Sequence, residues 1–152
     1  MYRHPNLRIG FFSQYQVDAL DMTATALESM RRRFAGLNEL DARKALGRFG
    51  LKGSLALQRM STLSGGQRSR VLLAELAFSN PHMLLLDEVT NHLDMESIEA
   101  LIKALNEFEG GVVFVSHDQH FISSVASSLY LVDHGKVEPF QGSIKDFVDN
   151  SM

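Results

Sequence analysis

Two carboxylates side by side at the end of an apolar run are the first feature of this sequence that could do chemistry. Asp87 and Glu88 directly follow the four apolar residues 83–86. Such a run predicts a strand that is buried on both faces. Ligands of open α/β sheets lie beyond the carboxyl ends of such strands. One acid at that edge can hold Mg²⁺, and its neighbour can position a water molecule.

A Ser-Gly-Gly turn upstream of the carboxylates is a candidate anion site. Ser64, Gly65 and Gly66 open an amphipathic stretch that predicts a helix over residues 65–78. A serine at a helix start offers its hydroxyl and the first free backbone N–H groups to an anion, and the glycines let the anion come close. Downstream of the carboxylates, a short polar turn closes on Asp94.

Two more strands are predicted to bring polar side chains to the same sheet edge. Residues 112–115 form a second apolar run that ends just before His117. His117 can therefore approach the phosphate that Asp87 serves. Residues 7–12 form a short strand candidate, and the Gln14 amide that follows it can contact a metal and a water without carrying charge. Gln16 is a rival for that role.

Together these motifs resemble the nucleotide-binding domain of ATP-binding cassette (ABC) proteins. The letters LSGGQ at residues 63–67 match its signature motif, and residues 83–88 match its Walker B strand with the catalytic glutamate. Residues 10–14 match the GxFxQ pattern of its Q-loop. The sequences DEVTNHLD at 87–94 and SHDQHF at 116–121 most resemble those of the ABC-F subfamily. Members of that subfamily are soluble twin-cassette ATPases that act on the ribosome.

The resemblance implies an α/β fold of the P-loop NTPase type, here a fragment of an ABC nucleotide-binding domain with a mostly parallel sheet and a helical signature subdomain. It also implies ATP and Mg²⁺ as cofactors. In that family arrangement Asp87 holds Mg²⁺ and Glu88 orients and deprotonates the attacking water. Gln14 senses the metal, and His117 contacts the γ-phosphate.

The same resemblance implies a second half-site that works in trans. Ser64, Gly65, Gly66 and Gln67 would clamp ATP held by a partner cassette, and Asp94 would join the two sites across the dimer. The implied partner is another ABC cassette, in the same or a second chain, and the ribosome is a further one. Asn91, the first residue of the Asn-His pair before Leu-Asp, argues against the ATPase subunit of a membrane transporter.

The resemblance also divides the chain, which we expect to be one partial cassette over residues 1–152. The Q-loop and helical subdomain would occupy 7–66, and the core with Walker B and the switch histidine would occupy 67–135. The tail over 136–152 resembles the FxGxxxxF segment that follows ABC-F cassettes, which favours the C-terminal, second cassette of such a protein.

Periodicity and turn residues predict the remaining elements. Helices are expected at 23–34, 38–49, 95–108 and 118–126, strands at 129–132 and 136–140, and a terminal helix ending near Asn150. The second of these helices would turn a set of apolar residues toward a core: Leu37, Leu40, Ala45, Leu46 and Phe49. The arginines at 31–33 suit a solvated helix end, and a phosphate-facing patch is the alternative.

The phosphate loop that a complete cassette needs is missing from the 152 residues. The only Gly-Lys pair is Gly135-Lys136, and Tyr130 stands where the first glycine would be. In related folds we expect the loop's strand between the Walker B strand and the strand of His117, so both of those strands would have unpaired edges. The isolated chain is therefore expected to be marginally stable or partner-dependent, and inactive as an ATPase. A non-enzymatic cassette that only pairs with another one is the alternative.

Val89 stands where the family has proline, which would make the turn that carries Glu88 less rigid.

Composition limits the other functions. The net charge of −3 gives no electrostatic reason to expect nucleic-acid binding, and nothing in the sequence points to DNA. No apolar run approaches about 18 residues, so we expect no transmembrane segment. The chain has no cysteine, which fits a reducing compartment, and we expect a cytoplasmic location.

Overall fold

The computed structural model describes residues 4–146, in which a parallel sheet carries helices on one face and a β-hairpin stands apart from it. In chain order the helices and strands are β1 (Ile9–Phe12), α1 (Gln14–Asp18), α2 (Ala26–Arg33), α3 (Glu39–Arg48), α4 (Gly65–Phe78), β2 (Met83–Asp87), α5 (Met95–Asn106), β3 (Gly111–Val115), α6 (Gln119–Val125), β4 (Leu129–Asp133) and β5 (Lys136–Phe140). Two short 3₁₀ turns, Gly53–Leu57 and Met60–Thr62, lie between α3 and α4.

The sheet has the order β1-β2-β3, and all its strands are parallel. The register pairs Phe12 with Leu86 and Leu86 with Phe114. The expectation of a missing strand between the Walker B strand and the strand of His117 is therefore wrong, because β2 pairs directly with β3 along its whole length. β2 is the central strand, and β1 and β3 are the two edge strands of this sheet within the described residues.

Within residues 4–146, only one face of this sheet is covered. Leu84 and Leu86 are 3% and 2% exposed, whereas Val113 and Val115 on the other face are 56% and 58% exposed. The prediction of strands buried on both faces is wrong for this reason: the described helices pack on the Leu84 side, where a Cβ on Gly10 would already touch Leu84. An apolar row on the opposite face remains open to solvent.

Helix α4 is the element around which the other helices pack, and its limits are those the sequence predicts. Ser64 and Gln67 form a capping box at its start, with Gln67 N–H donating to Ser64 Oγ at 3.1 Å and Ser64 N–H donating to Gln67 Oε1 at 2.9 Å. Nine of its residues are buried, including the charged side chains of Arg70 and Glu75. Its contacts extend to β1, α1, α2, α3 and α5.

Capping side chains set the limits of α2 and α3. Thr25 and Glu28 form a capping box, so α2 begins at Ala26 and not at residue 23 as predicted. Asn38 caps α3 as predicted, and Gly50, with φ of +80°, ends it in a Schellman motif in which Leu51 N–H donates to Leu46 O at 3.1 Å.

One predicted core residue of α3 is not in the core. Leu40 is 64% exposed, whereas Leu46 is fully buried. The reason is helical geometry: Leu40 lies two residues before buried Ala42, about 200° away around the helix axis.

A buried carboxylate joins α2 to α4. Glu75 has a side chain only 3% exposed; its Oε2 accepts from Arg33 Nη1 at 2.9 Å and its Oε1 from Ser29 Oγ at 2.5 Å. Arg33 therefore belongs neither to a fully solvated helix end nor to a phosphate-facing patch. Arg32 is more exposed and pairs with Asp21 at 2.9 Å.

Strands β4 and β5 form the predicted hairpin around His134 and Gly135, both at positive φ. The end of the predicted terminal helix near Asn150 lies outside the described residues, as does the end of the 136–152 tail. Over residues 4–146, no helix combines the length and the apolar character that a membrane crossing requires.

The one-sided burial of the sheet predicts unequal costs for substitutions on its two faces. Leu86→Ala should lower the free energy of unfolding by about 2–5 kcal/mol, because it leaves a cavity in the core. Val113→Thr on the open face should change it by less than about 0.5 kcal/mol. Urea unfolding followed by circular dichroism measures both, and equal losses would show that the open face is covered in solution.

The Arg33–Glu75 pair gives a second test with a matched control. Arg33→Ala leaves the buried Glu75 carboxylate with the neutral Ser29 hydroxyl as its hydrogen-bond donor and removes its cation. It should cost about 1–3 kcal/mol, less than a fully buried pair would, because the Arg33 side chain is 45% exposed. Arg31→Ala, on the same helix and exposed, should cost less than about 0.5 kcal/mol. Thermal or urea unfolding of the two variants should separate them, and a similar loss in both would contradict the pairing.

Candidate functional site

The carboxyl ends of β2 and β3 bring an acid and an imidazole into contact. Glu88 follows β2 and His117 lies two residues after β3, and Glu88 Oε1 is 3.1 Å from His117 Nε2. The turn that holds the acid begins with Glu88 at φ of +48°, and its N–H donates to Val115 O at 3.0 Å. The predicted convergence of these two side chains at one sheet edge is present.

The two oxygens of Glu88 have different surroundings. Oε1 contacts His117, whereas Oε2 is buried and has no hydrogen-bond partner. The Glu88 side chain is 26% exposed and that of His117 is 91% exposed. A buried carboxylate oxygen without a partner is costly, so it marks a position where a further donor, such as a water molecule, would be stabilised.

A hydroxyl pair that the sequence did not indicate holds the two turns together. Thr90 Oγ1 lies 2.8 Å from Ser116 Oγ, and Asp118 N–H donates to Ser116 Oγ at 3.1 Å. Asp118 also caps α6 by accepting from the N–H of Phe121 at 2.8 Å. Ser116 and Thr90 are separated by 26 residues, so no local pattern could have paired them. Val89, the departure from the family's proline, is buried as part of the hydrophobic core.

The Q-loop candidates lie just after β1, beside the strand that ends in Asp87. Gln14 is exposed, and its Nε2 donates to Asp18 at 3.0 Å. No hydrogen bond or ion pair among the described residues joins Gln14 to Asp87, Glu88 or His117. The rival Gln16 is half-buried, and its Oε1 has no partner.

The signature turn lies against the turn that follows Glu88. A Cβ on Gly66 would come within 3.3 Å of His92 O and 3.4 Å of the Leu93 side chain, so glycine permits this close approach. Ser64 is exposed. Its hydroxyl oxygen and the Gln67 amide already serve the capping box, which is a structural role for Gln67 beside the predicted nucleotide contact.

Asp94 caps α5 and is held by three donors. Its Oδ1 accepts from Ser97 N–H at 2.8 Å, from the Ser97 hydroxyl, and from Arg70 Nη2 at 3.4 Å. The Ser97 hydroxyl, then the Ser97 N–H, and then Arg70 hold the pKa of Asp94 below its usual range. The Asp94 side chain is still 69% exposed, so its second oxygen can reach a partner.

The structure thus collects the predicted residues into two groups. Asp87, Glu88 and His117 stand at the sheet edge, and the signature turn and Asp94 stand at the starts of α4 and α5. A cavity of about 940 Å³ lies at the opposite end of the strands, against His82 and Gly110, and none of the predicted site residues lines it. The candidate site is therefore an open sheet edge and not an enclosed cavity. Such an edge suits a ligand that is also contacted by a second protein domain.

Comparison with known proteins agrees with this arrangement. The family model described as "ABC transporter" matches residues 1–91. The chain is 50% identical over 145 residues to an uncharacterized ABC transporter ATP-binding protein of Schizosaccharomyces pombe, which covers 95% of the chain and 20% of that protein. It is 47% identical over 147 residues to the protein GCN20 of Saccharomyces cerevisiae, covering 97% of the chain and 20% of GCN20.

A mouse (Mus musculus) relative, ATP-binding cassette sub-family F member 3, is 47% identical over 146 residues, which are 96% of the chain and 21% of the relative. The chain thus spans about a fifth of the length of the curated relatives it matches.

Solved structures show the same fold. The dimeric structure of a post-hydrolysis state of the ATP-binding cassette MJ0796, bound to ADP and Pi, matches with a TM-score of 0.70 at 28% identity, covering 90% of this chain and 64% of that one. The cbiO1 structure from Clostridium perfringens, described as part of the ABC transporter complex cbiONQ, matches with a TM-score of 0.71 at 25% identity, covering 95% of this chain and 60% of that one.

Sheet, signature helix and sheet-edge turns therefore define the α/β fold of ABC-type P-loop NTPases. The chain belongs to the ATP-binding cassette family, and its relatives place it in the ABC-F subfamily.

The hydrogen bonds of Asp94 predict a pH-dependent contribution to stability. Because its pKa is lowered in the folded chain, the contribution is present above the unfolded value of about 3.9 and is lost as the pH falls through the lower folded value. The difference in free energy of unfolding between the wild type and Asp94→Asn should thus shrink from at most about 1 kcal/mol at pH 6 toward zero near pH 2.

Urea unfolding at a series of pH values measures that difference. Glu138→Gln, an exposed carboxylate on the hairpin, serves as the control and should show no such trend. A difference that grows on acidification would contradict the assigned hydrogen bonds.

Proposed function

We propose that the chain binds and hydrolyses ATP, with Mg²⁺, as part of a cytoplasmic ABC-F-type ATPase that acts in translation on the ribosome. The observation that carries the proposal is the contact between Glu88 and His117 beside Asp87 at one sheet edge. The curated relatives support the ABC-F assignment by their names and by identity over nearly the whole chain. Residues 7–66, 67–135 and 136–152 would be the helical subdomain, the catalytic core and the tail.

The residues at the sheet edge fit Mg²⁺ bound together with a nucleotide. Asp87 is exposed at the end of β2. Within the described residues, His, Asp and Glu side chains nowhere gather in a group of three that could hold a metal. Mg²⁺ commonly takes one or two carboxylates and fills its shell with water and substrate phosphates. When bound, it neutralises phosphate charge in the transition state.

Glu88 is the group proposed to accept the proton of the attacking water. Its buried, unpaired Oε2 can accept a hydrogen bond from that water. His117, whose side chain is 91% exposed, would turn its ring N–H from Glu88 Oε1 to a γ-phosphate oxygen. Gln14, whose amide is now bonded to Asp18, would turn toward the metal when nucleotide is present.

The second half-site is proposed to act on nucleotide held by another cassette. The exposed Ser64 hydroxyl and the first N–H groups of α4, at half-buried Gly65 and buried Gly66, would form an anion-binding helix start. Gln67 keeps this turn closed through the capping box, and the free oxygen of Asp94 would contact the partner cassette. The dimeric MJ0796 cassette, bound to ADP and Pi, shows that cassettes of this fold do pair.

The test compares the 152-residue chain with a protein in which a segment carrying a G-x-x-x-x-G-K-[ST] loop is joined ahead of it. The chain alone should show no ATP turnover, and the joined protein should hydrolyse ATP. In the joined protein, Glu88→Gln should lower kcat by about 10²–10⁴-fold with little change in KM, because a general base acts in the transition state. Steady-state phosphate release measures both constants.

Glu99→Gln is the matched control for the Glu88 variant. Glu99 is also paired with a histidine, His120 at 2.6 Å, but it lies on the exposed surface of α5 and forms no hydrogen bond or ion pair with Asp87, Glu88 or His117 among the described residues. Its substitution should leave kcat unchanged. Turnover that is unchanged or faster in Glu88→Gln would remove Glu88 from the role of base.

A second candidate is a non-enzymatic cassette that only pairs with another. It is favoured by a specific combination: the signature turn is formed and exposed at Ser64, while the 152 residues contain no phosphate loop. If the joined protein fails to hydrolyse ATP but the chain still binds an ATP-loaded cassette, this candidate replaces the first. Sedimentation with and without ATP measures that binding.

A further inference from the structure

Arg70 is a buried cation that the proposed reaction does not use. It lies one turn after Gly66 on α4 and is 6% exposed. Its Nη2 donates to Ser97 Oγ at 2.5 Å and reaches Asp94 Oδ1 at 3.4 Å. One guanidinium thus joins the helix of the signature motif to the residues that cap α5.

The end of α3 contacts the same guanidinium. A Cβ on Gly50 would lie 2.6 Å from Arg70 Nη1, closer than side chains allow. Gly50 also has φ of +80° as the last residue of the Schellman motif. The glycine therefore meets two demands at once: it ends the helix and it leaves room for the guanidinium.

The energetics of burial make this arrangement restrictive. A guanidinium removed from water is costly unless it is paired and hydrogen-bonded. Asp94 is the only carboxylate that forms an ion pair with Arg70 among the described residues, and Arg70 Nε has no hydrogen-bond partner. The guanidinium cannot shift away from Asp94 and Ser97 without losing the compensation it has.

We propose that Arg70 is a positioning residue: seated against Gly50, its guanidinium holds the Asp94 carboxylate and the start of α5 in place relative to the signature turn. The contact between Gly66 and Leu93 supports the same link from the other side of the turn. The helical layer of α3 then sets the position of Asp94. The role of Asp94 across a dimer rests on the proposed function, whereas the link itself needs no nucleotide.

Two glycines of the chain provide a matched pair of variants. Gly50 ends α3 and Gly36 lies in the turn after α2, and both have nearly the same φ, +80° and +83°, so an alanine is similarly strained at either position. A Cβ on Gly36 meets nothing within 4 Å, whereas one on Gly50 meets the guanidinium. Any difference between Gly50→Ala and Gly36→Ala beyond global stability therefore reports the contact with Arg70.

The measurement is amide hydrogen exchange by NMR on the 152-residue chain without nucleotide. The Ser97 amide, which donates to Asp94 Oδ1, reports the cap, and the Leu73 amide in the buried part of α4 reports global opening. The ratio of Ser97 to Leu73 protection should fall about fivefold in Gly50→Ala, the size of a lost helix cap. It should stay unchanged in Gly36→Ala.

Substitutions of Arg70 itself complete the test. Arg70→Lys keeps the charge but not the planar fork, so it should lower the same ratio less than Arg70→Met does. If Gly50→Ala does not fold, the comparison of Arg70→Lys with Arg70→Met tests the proposal by itself. Equal ratios in the two glycine variants, or in Arg70→Met and the wild type, would overturn the proposal. Because no ATP is present, loss of the proposed ATPase activity would leave these results unaffected.

Discussion

The structure depends on the burial of α4 together with two charges that it takes into the core. Glu75 and Arg70 lie on opposite sides of this helix, and each must find a partner on another element because an unpaired buried charge is costly. Arg33 forms an ion pair with Glu75 and so holds α2 against α4. Asp94 forms an ion pair with Arg70 and so holds the start of α5 against α4. Electrostatic compensation, added to apolar packing, thus sets the position of the elements that flank the signature turn.

The sheet shows how a chain can bring an acid and an imidazole together while one face of the sheet is open among the described residues. Glu88 and His117 meet because β2 and β3 are parallel neighbours, which brings their carboxyl ends to one edge. The face through Val113 and Val115 has no cover among the described residues. The solved cassettes of the same fold are longer, and this chain covers 60–64% of them. The 152 residues also contain no phosphate loop.

Local chemistry in the sequence predicted the starts of α3, α4, α5 and α6 and the strand positions, though not the start of α2, because capping residues such as Ser64 act within four residues of themselves. It predicted the Glu88–His117 convergence because parallel strands share an edge. It could not predict that Leu40 would be exposed, since periodicity shows that a helix has an apolar side but not which neighbour covers it. Nor could it pair Glu75 with Arg33, since a contact across 42 residues leaves no local trace. Nor could it predict that β2 pairs directly with β3, because the order of strands in a sheet is not encoded in the local sequence of either strand.

The choice of serine at the start of α4 has a consequence for how an anion would be received there. Asn, Asp, Ser and Thr all cap helices well, because each offers a lone pair to an N–H of the first turn. At Ser64 the hydroxyl oxygen accepts from Gln67 N–H, and its own proton is not needed for that bond. An aspartate would close the same turn but repel a phosphate by its charge, and an asparagine would place an amide there with a fixed plane. A hydroxyl alone can act as acceptor for the helix and as a rotatable donor for a ligand at the same moment. An anion could therefore bind at this turn without breaking the hydrogen bond between Gln67 N–H and Ser64 Oγ that caps the helix.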